Sequence, residues 1–107
     1  MFDYSERLSL YRINPIDWEK QEIYKNIPCD IQINEYKKQM IWQNSDNSEM
    51  ADYFIFVQNW NNNIKVWDLI EFSNYFWEKE TVVVMSRDYI DYESCTPFIE
   101  ILCKLKN

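Results

Sequence analysis

Hydrophobic and polar residues follow strand-like patterns in several short stretches of the chain. Strict alternation is typical of a strand with one buried face, and a short run that is apolar throughout is typical of a fully buried strand. The stretches with one or the other pattern are residues 7–13, 30–33, 53–58, 64–67 and 81–85. β-strands are therefore predicted over much of the chain.

Two hairpins are predicted among these segments. Residues 38–43 are expected to pair back on residues 30–33. Residues 64–67 are expected to pair with 53–58 after a turn at asparagines 61–63, since asparagine tolerates the left-handed backbone that tight turns require.

Three other segments have hydrophobic residues at helical spacing, and each opens with residues that favour a helix N-terminus. The three starts are Asn14-Pro15, Asp68 with Glu71 three residues later, and Thr96-Pro97. The first helix is expected to end near Asn26 and the second near Lys79. Together the patterns predict an α+β fold, a mostly antiparallel sheet with about three helices packed on one face.

The composition predicts one folded domain over residues 1–107. The chain has a mass of 13.3 kDa and is 47% hydrophobic and 18% aromatic, whereas disordered chains are poor in aromatic residues. Trp18, Trp42, Trp67 and Trp77 are expected in the core. Trp60 borders the asparagine run and is a candidate for an exposed anchor, with burial over the sheet as the alternative.

The absence of histidine and glycine from the sequence excludes much enzyme chemistry. Without histidine there is no imidazole acid or base and no Ser-His or Cys-His nucleophile pair. Without glycine there is no phosphate-cradling loop, because these loops need backbone that no Cβ obstructs. We therefore expect a protein that is not an enzyme and that uses no cofactor.

Cysteines and carboxylates give no metal motif. Cys29, Cys95 and Cys103 are widely spaced and odd in number, which favours small buried hydrophobic residues in a reducing compartment over a disulfide with one thiol left over. Asp88, Asp91 and Glu93 lack the glycine and the twelve-residue pattern of a calcium loop. No metal site is predicted.

The chain carries a net charge of −7, with a pI near 4.5. Nucleic acids and anionic membranes both require a basic surface, so neither is expected as a direct partner. No apolar run reaches the length of a membrane span, and the N-terminal residues do not resemble a signal peptide. The expected location is the cytoplasm.

The excess negative charge is concentrated in residues 43–100, which hold eleven acidic and three basic residues, a net charge of −8. Within this region, acidic residues stand beside aromatic residues, a combination that suits a protein interface. The alternatives are an ordinary solvated loop for the acids and core packing, with the hydroxyls at the rim, for Tyr89 and Tyr92. The candidate partner-binding residues are Asp88, Tyr89, Asp91, Tyr92 and Glu93 in a predicted loop, and Asp46, Glu49, Asp52 and Trp60 around residues 53–58.

These features favour a small acidic inhibitor that neutralises a basic toxin enzyme. A nuclease is the expected partner, because its basic nucleic-acid-binding cleft complements an acidic surface. This is the role of the immunity proteins of bacterial toxin systems such as contact-dependent growth inhibition. The alternatives are a phage-encoded DNA mimic that counters a defence system and an accessory subunit of a larger complex.

Overall fold

The computed structural model describes residues 3–35, 50–58, 63–73, 77–91 and 96–106. Within these residues the chain forms six strands, which close into an antiparallel barrel. The strands are β1 (Glu6–Ile13), β2 (Lys20–Ile33), β3 (Tyr53–Gln58), β4 (Leu69–Ser73), β5 (Lys79–Ile90) and β6 (Phe98–Leu105). The predicted α+β fold is wrong, since strands occupy the segments that were expected to be helices.

The strand order around the barrel is β1-β2-β3-β6-β5-β4, and β4 pairs with β1 to close it. Strands β1 to β3 form one meander and β4 to β6 form another. Because β4 returns to lie beside β1, the first four strands have the spatial order 4-1-2-3 of a Greek key. Strands β3 and β4 lie on opposite sides of the barrel, and the end of β3 and the start of β4 both lie at the same open end.

The first predicted helix is replaced by a hairpin turn and the start of β2. The side-chain Oδ1 of Asn14 accepts a hydrogen bond from the Ile16 backbone at 3.0 Å. The Asn14 backbone also bonds to Trp18 and Glu19 across the turn. Asparagine followed by proline starts turns as well as helices, and here the asparagine side chain closes a turn.

The other two predicted helices are β4 and β6. Asp68 caps no helix, because its carboxylate accepts hydrogen bonds from Arg12 and from the Lys65 backbone. In β6, Ile99, Ile101 and Cys103 alternate inward as a strand requires. Hydrophobic residues also occupy the other face of β6, and a short segment that is apolar on both faces does not distinguish strand from helix by its spacing.

The strands predicted at residues 7–13, 30–33, 53–58 and 81–85 are confirmed within β1, β2, β3 and β5. Residues 64–67 form no strand, which corrects the second predicted hairpin. They belong to the connection between β3 and β4. The first predicted hairpin involves residues 38–43, which lie outside the described residues.

The inward side chains fill the barrel with aliphatic residues and two cysteines. Rings from opposite walls meet in its interior, where Tyr53 of β3 packs edge-to-face on Phe72 of β4 with their centroids 5.3 Å apart. The most deeply buried side chains are Leu8, Leu10, Ile55, Ile64, Ile70, Ile101, Val57, Val82, Val84, Cys29 and Cys103. Ile64 comes from the β3–β4 connection, so this segment contributes to the core.

The barrel has two ends, which we name by the chain segments found there. The crossing end, where the chain passes from β3 to β4, carries the β1–β2 turn, residues 63–68, the end of β5 and the start of β6. The terminal end carries the starts of β1, β3 and β5 and the ends of β2, β4 and β6.

Candidate functional site

Exposed hydrophobic side chains are concentrated at the crossing end. Eight large hydrophobic residues are exposed in the described part of the chain. Five of them lie at the crossing end and form what we call the crossing surface: Ile16, Trp18, Val66, Trp67 and Tyr89. The other three, Ile33, Trp77 and Leu105, belong to the terminal end. Exposed apolar side chains that share one end of a barrel make that end a candidate interaction site.

Three tryptophans in turns combine high exposure with a left-handed backbone. Trp18, Trp67 and Trp77 are 77%, 78% and 89% exposed, and their φ angles are 62°, 77° and 62°. The prediction that these three lie in the core is therefore wrong, and Trp42 lies outside the described residues. A left-handed conformation is strained for a bulky residue, so each of these positions combines backbone strain with exposed apolar area.

A partly buried ion pair fixes the turn that presents Trp67. The Asp68 side chain is 3% exposed and that of Arg12 is 28% exposed. Arg12 Nε and Nη2 donate to the two Asp68 carboxylate oxygens at 2.8 and 2.9 Å. The Lys65 backbone donates to Oδ2 at 2.9 Å, and Arg12 Nη2 also donates to the Asn63 carbonyl at 2.8 Å.

Backbone hydrogen bonds tie the same turn to β5. The Trp67 N–H donates to the Val84 carbonyl, and the Val84 N–H donates to the Asp68 carbonyl, both at 2.9 Å. The hydrogen bond to Asp68 raises the pKa of Arg12 above its ordinary value, although burial acts in the opposite direction. The exposed indole of Trp67 therefore projects from backbone that is held on both sides.

Acidic residues accompany the crossing surface. Trp18 lies between Asp17 and Glu19 in the β1–β2 turn, and both acids are exposed. Asp88 is exposed on β5, and Asp91 is exposed just beyond the end of that strand. The Asp17 carboxylate accepts a hydrogen bond from the Glu19 backbone at 3.0 Å, which leaves further acceptor capacity open.

The register of β5 and β6 places two acidic residues opposite each other. Asp88 is paired with Glu100, and directly opposed side chains lie on the same face of a sheet, with Cβ atoms about 5 Å apart. Like charges in such a pair are destabilising. Among the described residues, neither of these two carboxylates forms an ion pair, so their repulsion is not relieved within this part of the chain.

The structure separates the candidate residues that the sequence grouped together. Asp88 and Tyr89 are in strand β5, which corrects the predicted loop, and they lie on opposite faces of the β5–β6 ribbon. Tyr89 shares the face of its partner Ile99, which is buried in the core. The remaining candidates at positions Tyr92, Glu93, Asp46, Glu49 and Trp60 lie outside the described residues.

Asp52 has a structural role at the terminal end. Its carboxylate accepts a hydrogen bond from the Leu105 backbone at 2.8 Å, and its own backbone bonds to Asn34 and Cys103. Asp52 therefore joins three segments of the terminal end and does not lie on one face with Asp88. Sequence reasoning missed the exposure of Trp18 and Trp67, although the position of Trp18 between two acids was a signal against burial.

The buried thiols are poor candidates for chemistry. Cys29 and Cys103 are free and fully buried, as expected, whereas Cys95 lies outside the described residues. Burial raises the pKa of Cys29 to about 12 and also raises that of Cys103. A thiol in apolar surroundings stays protonated and unreactive. No group of three or more potential metal ligands is found in the described ranges.

An open groove of about 210 Å³ lies on the outer surface of β1 and β4. Arg7, Ser9, Ser73 and Lys79 contribute to its lining. Small-molecule sites usually enclose about 300–1,000 Å³, so this groove is small and shallow in comparison.

Comparisons with protein-family models, with curated proteins and with solved structures gave no match. The assignment of a function therefore depends on the surface that this chain presents. No helical segment within the described ranges has the length and hydropathy needed to span a bilayer.

Proposed function

We propose that this chain is a non-enzymatic inhibitor that binds a basic protein through its crossing surface. The partner that fits best is a nuclease toxin, and the expected place of action is the cytoplasm. The observation that carries the proposal is the concentration of exposed large hydrophobic residues, with Trp18 and Trp67 among them, at the end where Asp17, Glu19 and Asp91 are also exposed.

The proposed surface has the composition of an affinity-determining interface. Tryptophan and tyrosine are enriched among the residues that contribute most to protein binding. Acidic residues around them attract a positively charged partner and raise the association rate. Fast association suits an inhibitor that must capture a toxin before it acts.

Rigidity of the Trp67 turn supports the same proposal. The Arg12–Asp68 ion pair and the backbone bonds to Val84 hold the turn before any partner arrives. A surface that is already ordered loses less conformational entropy on binding. An inhibitor gains affinity from such preorganisation without additional contact area.

The two alternative functions make different demands on the same surface. A DNA mimic needs rows of carboxylates spaced like phosphates, whereas the crossing surface mixes acids with tryptophans. An accessory subunit needs a large apolar interface, and removal of its partner exposes that interface to aggregation. The mixed composition of the crossing surface favours the inhibitor.

Co-expression with the product of the adjacent gene tests the proposal directly. The complex is isolated by size-exclusion chromatography, and the partner's cleavage of plasmid DNA and of RNA is measured with and without the chain. We expect a complex with equimolar subunits, complete inhibition, and slower association at 0.5 M than at 0.05 M NaCl. The proposal is contradicted if the product of the adjacent gene does not bind this chain. It is also contradicted if that product cleaves nucleic acid equally well with and without the chain.

Charge-reversal variants locate the acidic part of the surface. The double variant Asp88→Lys/Asp91→Lys is expected to lower the association rate at least tenfold. Asp3→Lys/Glu35→Lys is the matched control, because it changes the net charge equally at two exposed positions of the terminal end. If the two double variants lower the association rate equally, only the net charge of the chain matters, and the crossing surface is not the binding site.

A further inference from the structure

We infer that the crossing surface recognises arginine side chains of its partner, with the indole rings of Trp18 and Trp67 as stacking platforms. This inference rests on the proposed function and adds the chemistry by which the partner is recognised. It draws on the exposure of the two rings, the acids that accompany them, and the difference between guanidinium and ammonium groups.

The two indoles are available for stacking. Each ring is more than three-quarters exposed, and each belongs to a turn held by hydrogen bonds to Asn14 or to Val84. Tryptophan provides the strongest cation–π surface among the aromatic side chains. A guanidinium group is planar and weakly hydrated, so it stacks on such a ring more readily than an ammonium group does.

The carboxylates provide the second part of guanidinium recognition. Asp17 and Glu19 flank Trp18 in the sequence, and Asp88 faces Glu100 across the β5–β6 ribbon. A guanidinium group offers five donors in a fixed fork that can bond to carboxylates while its face stacks on a ring. A cation between Asp88 and Glu100 also relieves the repulsion of these like charges.

The partner class follows from this chemistry. Proteins that bind nucleic acids use arginine to contact phosphates bidentately. The same arginines become available to an inhibitor that occupies the nucleic-acid cleft. Arginine recognition therefore gives the chain a way to select a nuclease cleft over a surface whose positive charge comes from lysine.

Two synthetic peptides of equal charge, nona-arginine and nona-lysine, test this preference. Binding of each to the full chain is measured by calorimetry and by quenching of tryptophan fluorescence. We expect the arginine peptide to bind at least fivefold more tightly than the lysine peptide at 0.15 M NaCl. Equal affinity for the two peptides overturns the inference.

Tryptophan variants locate the stacking sites. Asparagine is the chosen replacement, because it removes the ring and tolerates a left-handed backbone. Trp18→Asn and Trp67→Asn are each expected to weaken arginine binding about two- to fivefold and to weaken lysine binding less, because an ammonium group does not stack on the ring. Trp77→Asn is the matched control, since Trp77 has similar exposure and a similar φ angle at the terminal end. Loss of binding in Trp77→Asn alone overturns the inference.

The outcomes separate this inference from the proposed function. If the double variant Trp18→Asn/Trp67→Asn inhibits the product of the adjacent gene with undiminished affinity, the inhibitor does not use these rings. In that case the inference fails and the proposed function stands. If the chain binds the arginine peptide selectively but inhibits no basic enzyme, the proposed function fails and arginine recognition stands. Circular dichroism and thermal unfolding of each variant establish that the barrel is retained.

Discussion

The two ends of the barrel are held together by different chemistry. At the crossing end, Arg12 of β1 pairs with the nearly buried carboxylate of Asp68 in the β3–β4 connection. Ile64 from the same connection packs into the core. At the terminal end, the buried Asn34 amide donates to the Ala51 carbonyl at 2.8 Å, and the Asp52 carboxylate accepts from the Leu105 backbone.

This difference matches the topology of the two ends. At the crossing end, the end of β3 and the start of β4 lie on opposite sides of the barrel, and the Arg12–Asp68 pair fixes the turn that enters β4. A buried charge pair tolerates little displacement, because either partner left alone is costly. The crossing end therefore presents side chains such as Trp67 in a fixed direction.

The largest difference between the ends is expected from removing their buried polar groups. Asp68→Ala removes the carboxylate that accepts from Arg12 and from the Lys65 N–H, while Arg12 keeps its bond to the Asn63 carbonyl. Because Arg12 is also partly exposed, the free energy of unfolding is expected to fall by about 2–3 kcal/mol. Asn34→Ala removes a neutral group and is expected to cost about 1–2 kcal/mol. Urea denaturation of both variants measures the two values, and a smaller loss for Asp68→Ala contradicts the comparison.

The barrel wall between the two ends is expected to lose stability at alkaline pH through its buried thiols. The pKa of Cys29 rises from 9.0 to about 12 in the folded chain, so the unfolded chain releases its proton first. The free energy of unfolding is then expected to fall by about 1.4 kcal/mol per pH unit for this thiol between pH 9 and 12.

Denaturant titrations between pH 8 and 11 measure this slope, with Cys29→Ala as the control variant. The difference in stability between the original chain and the variant should narrow as the pH rises. A difference that stays constant across this range shows that Cys29 ionises equally in both states.

The left-handed backbone conformations of Trp67 and Trp77, one at each end, are expected to lower the stability of the fold by the same amount. Trp67→Asn and Trp77→Asn both replace a strained bulky residue by one that tolerates positive φ, and each is expected to raise stability by up to about 1 kcal/mol. Thermal unfolding measures both variants. A clear loss of stability in Trp67→Asn shows that its ring packs in solution and is unavailable to a partner.

The smallest effect is expected at the second ion pair. Lys20 Nζ lies 3.0 Å from Glu71 Oε1 and 4.3 Å from the centroid of the Tyr11 ring. The Lys20 side chain is 44% exposed, so solvent screens this pair, and Glu71→Gln is expected to cost less than about 1 kcal/mol. If Glu71→Gln lowers stability as much as Asp68→Ala does, the exposed ion pair and the less exposed one contribute equally, which contradicts the comparison.

The sequence predicted strands better than it predicted their arrangement. Residues 53–58 and 81–85 are rich in aromatic or β-branched residues and were identified correctly. The segments of β4 and β6 were wrongly predicted as helices. They have hydrophobic residues on both faces, a pattern that fits helices and buried strands equally. Tertiary pairing in a closed barrel decides between them, and this information is not local to either segment.

The candidate site was only partly predictable for a similar reason. Asp88 and Asp91 were chosen from charge, and the structure places both at the crossing end. Trp18 and Trp67 were assigned to the core because tryptophan is usually buried. Their exposure follows from turn positions that depend on the Asn14 side chain and on the Arg12–Asp68 pair, which joins residues 56 positions apart.

Bulges let this barrel curve without glycine. Between Leu8 and Leu10 the register of β1 and β2 shifts, and Asn26 on the opposing strand has a φ angle of 58°. Glycine usually occupies such a left-handed bulge position. Asparagine serves here, so substitution by a β-branched residue at this position would disfavour the bend.

Strand direction places the start of β1 and the end of β6 at the terminal end of the barrel, on opposite walls, whereas Trp18 and Trp67 belong to the crossing end. A biotin label, a fluorescent protein or a solid support joined before β1 or after β6 therefore leaves the opposite pole facing the solution. The same geometry suits a tethered reagent, in which the barrel is displayed from a carrier with its crossing end free.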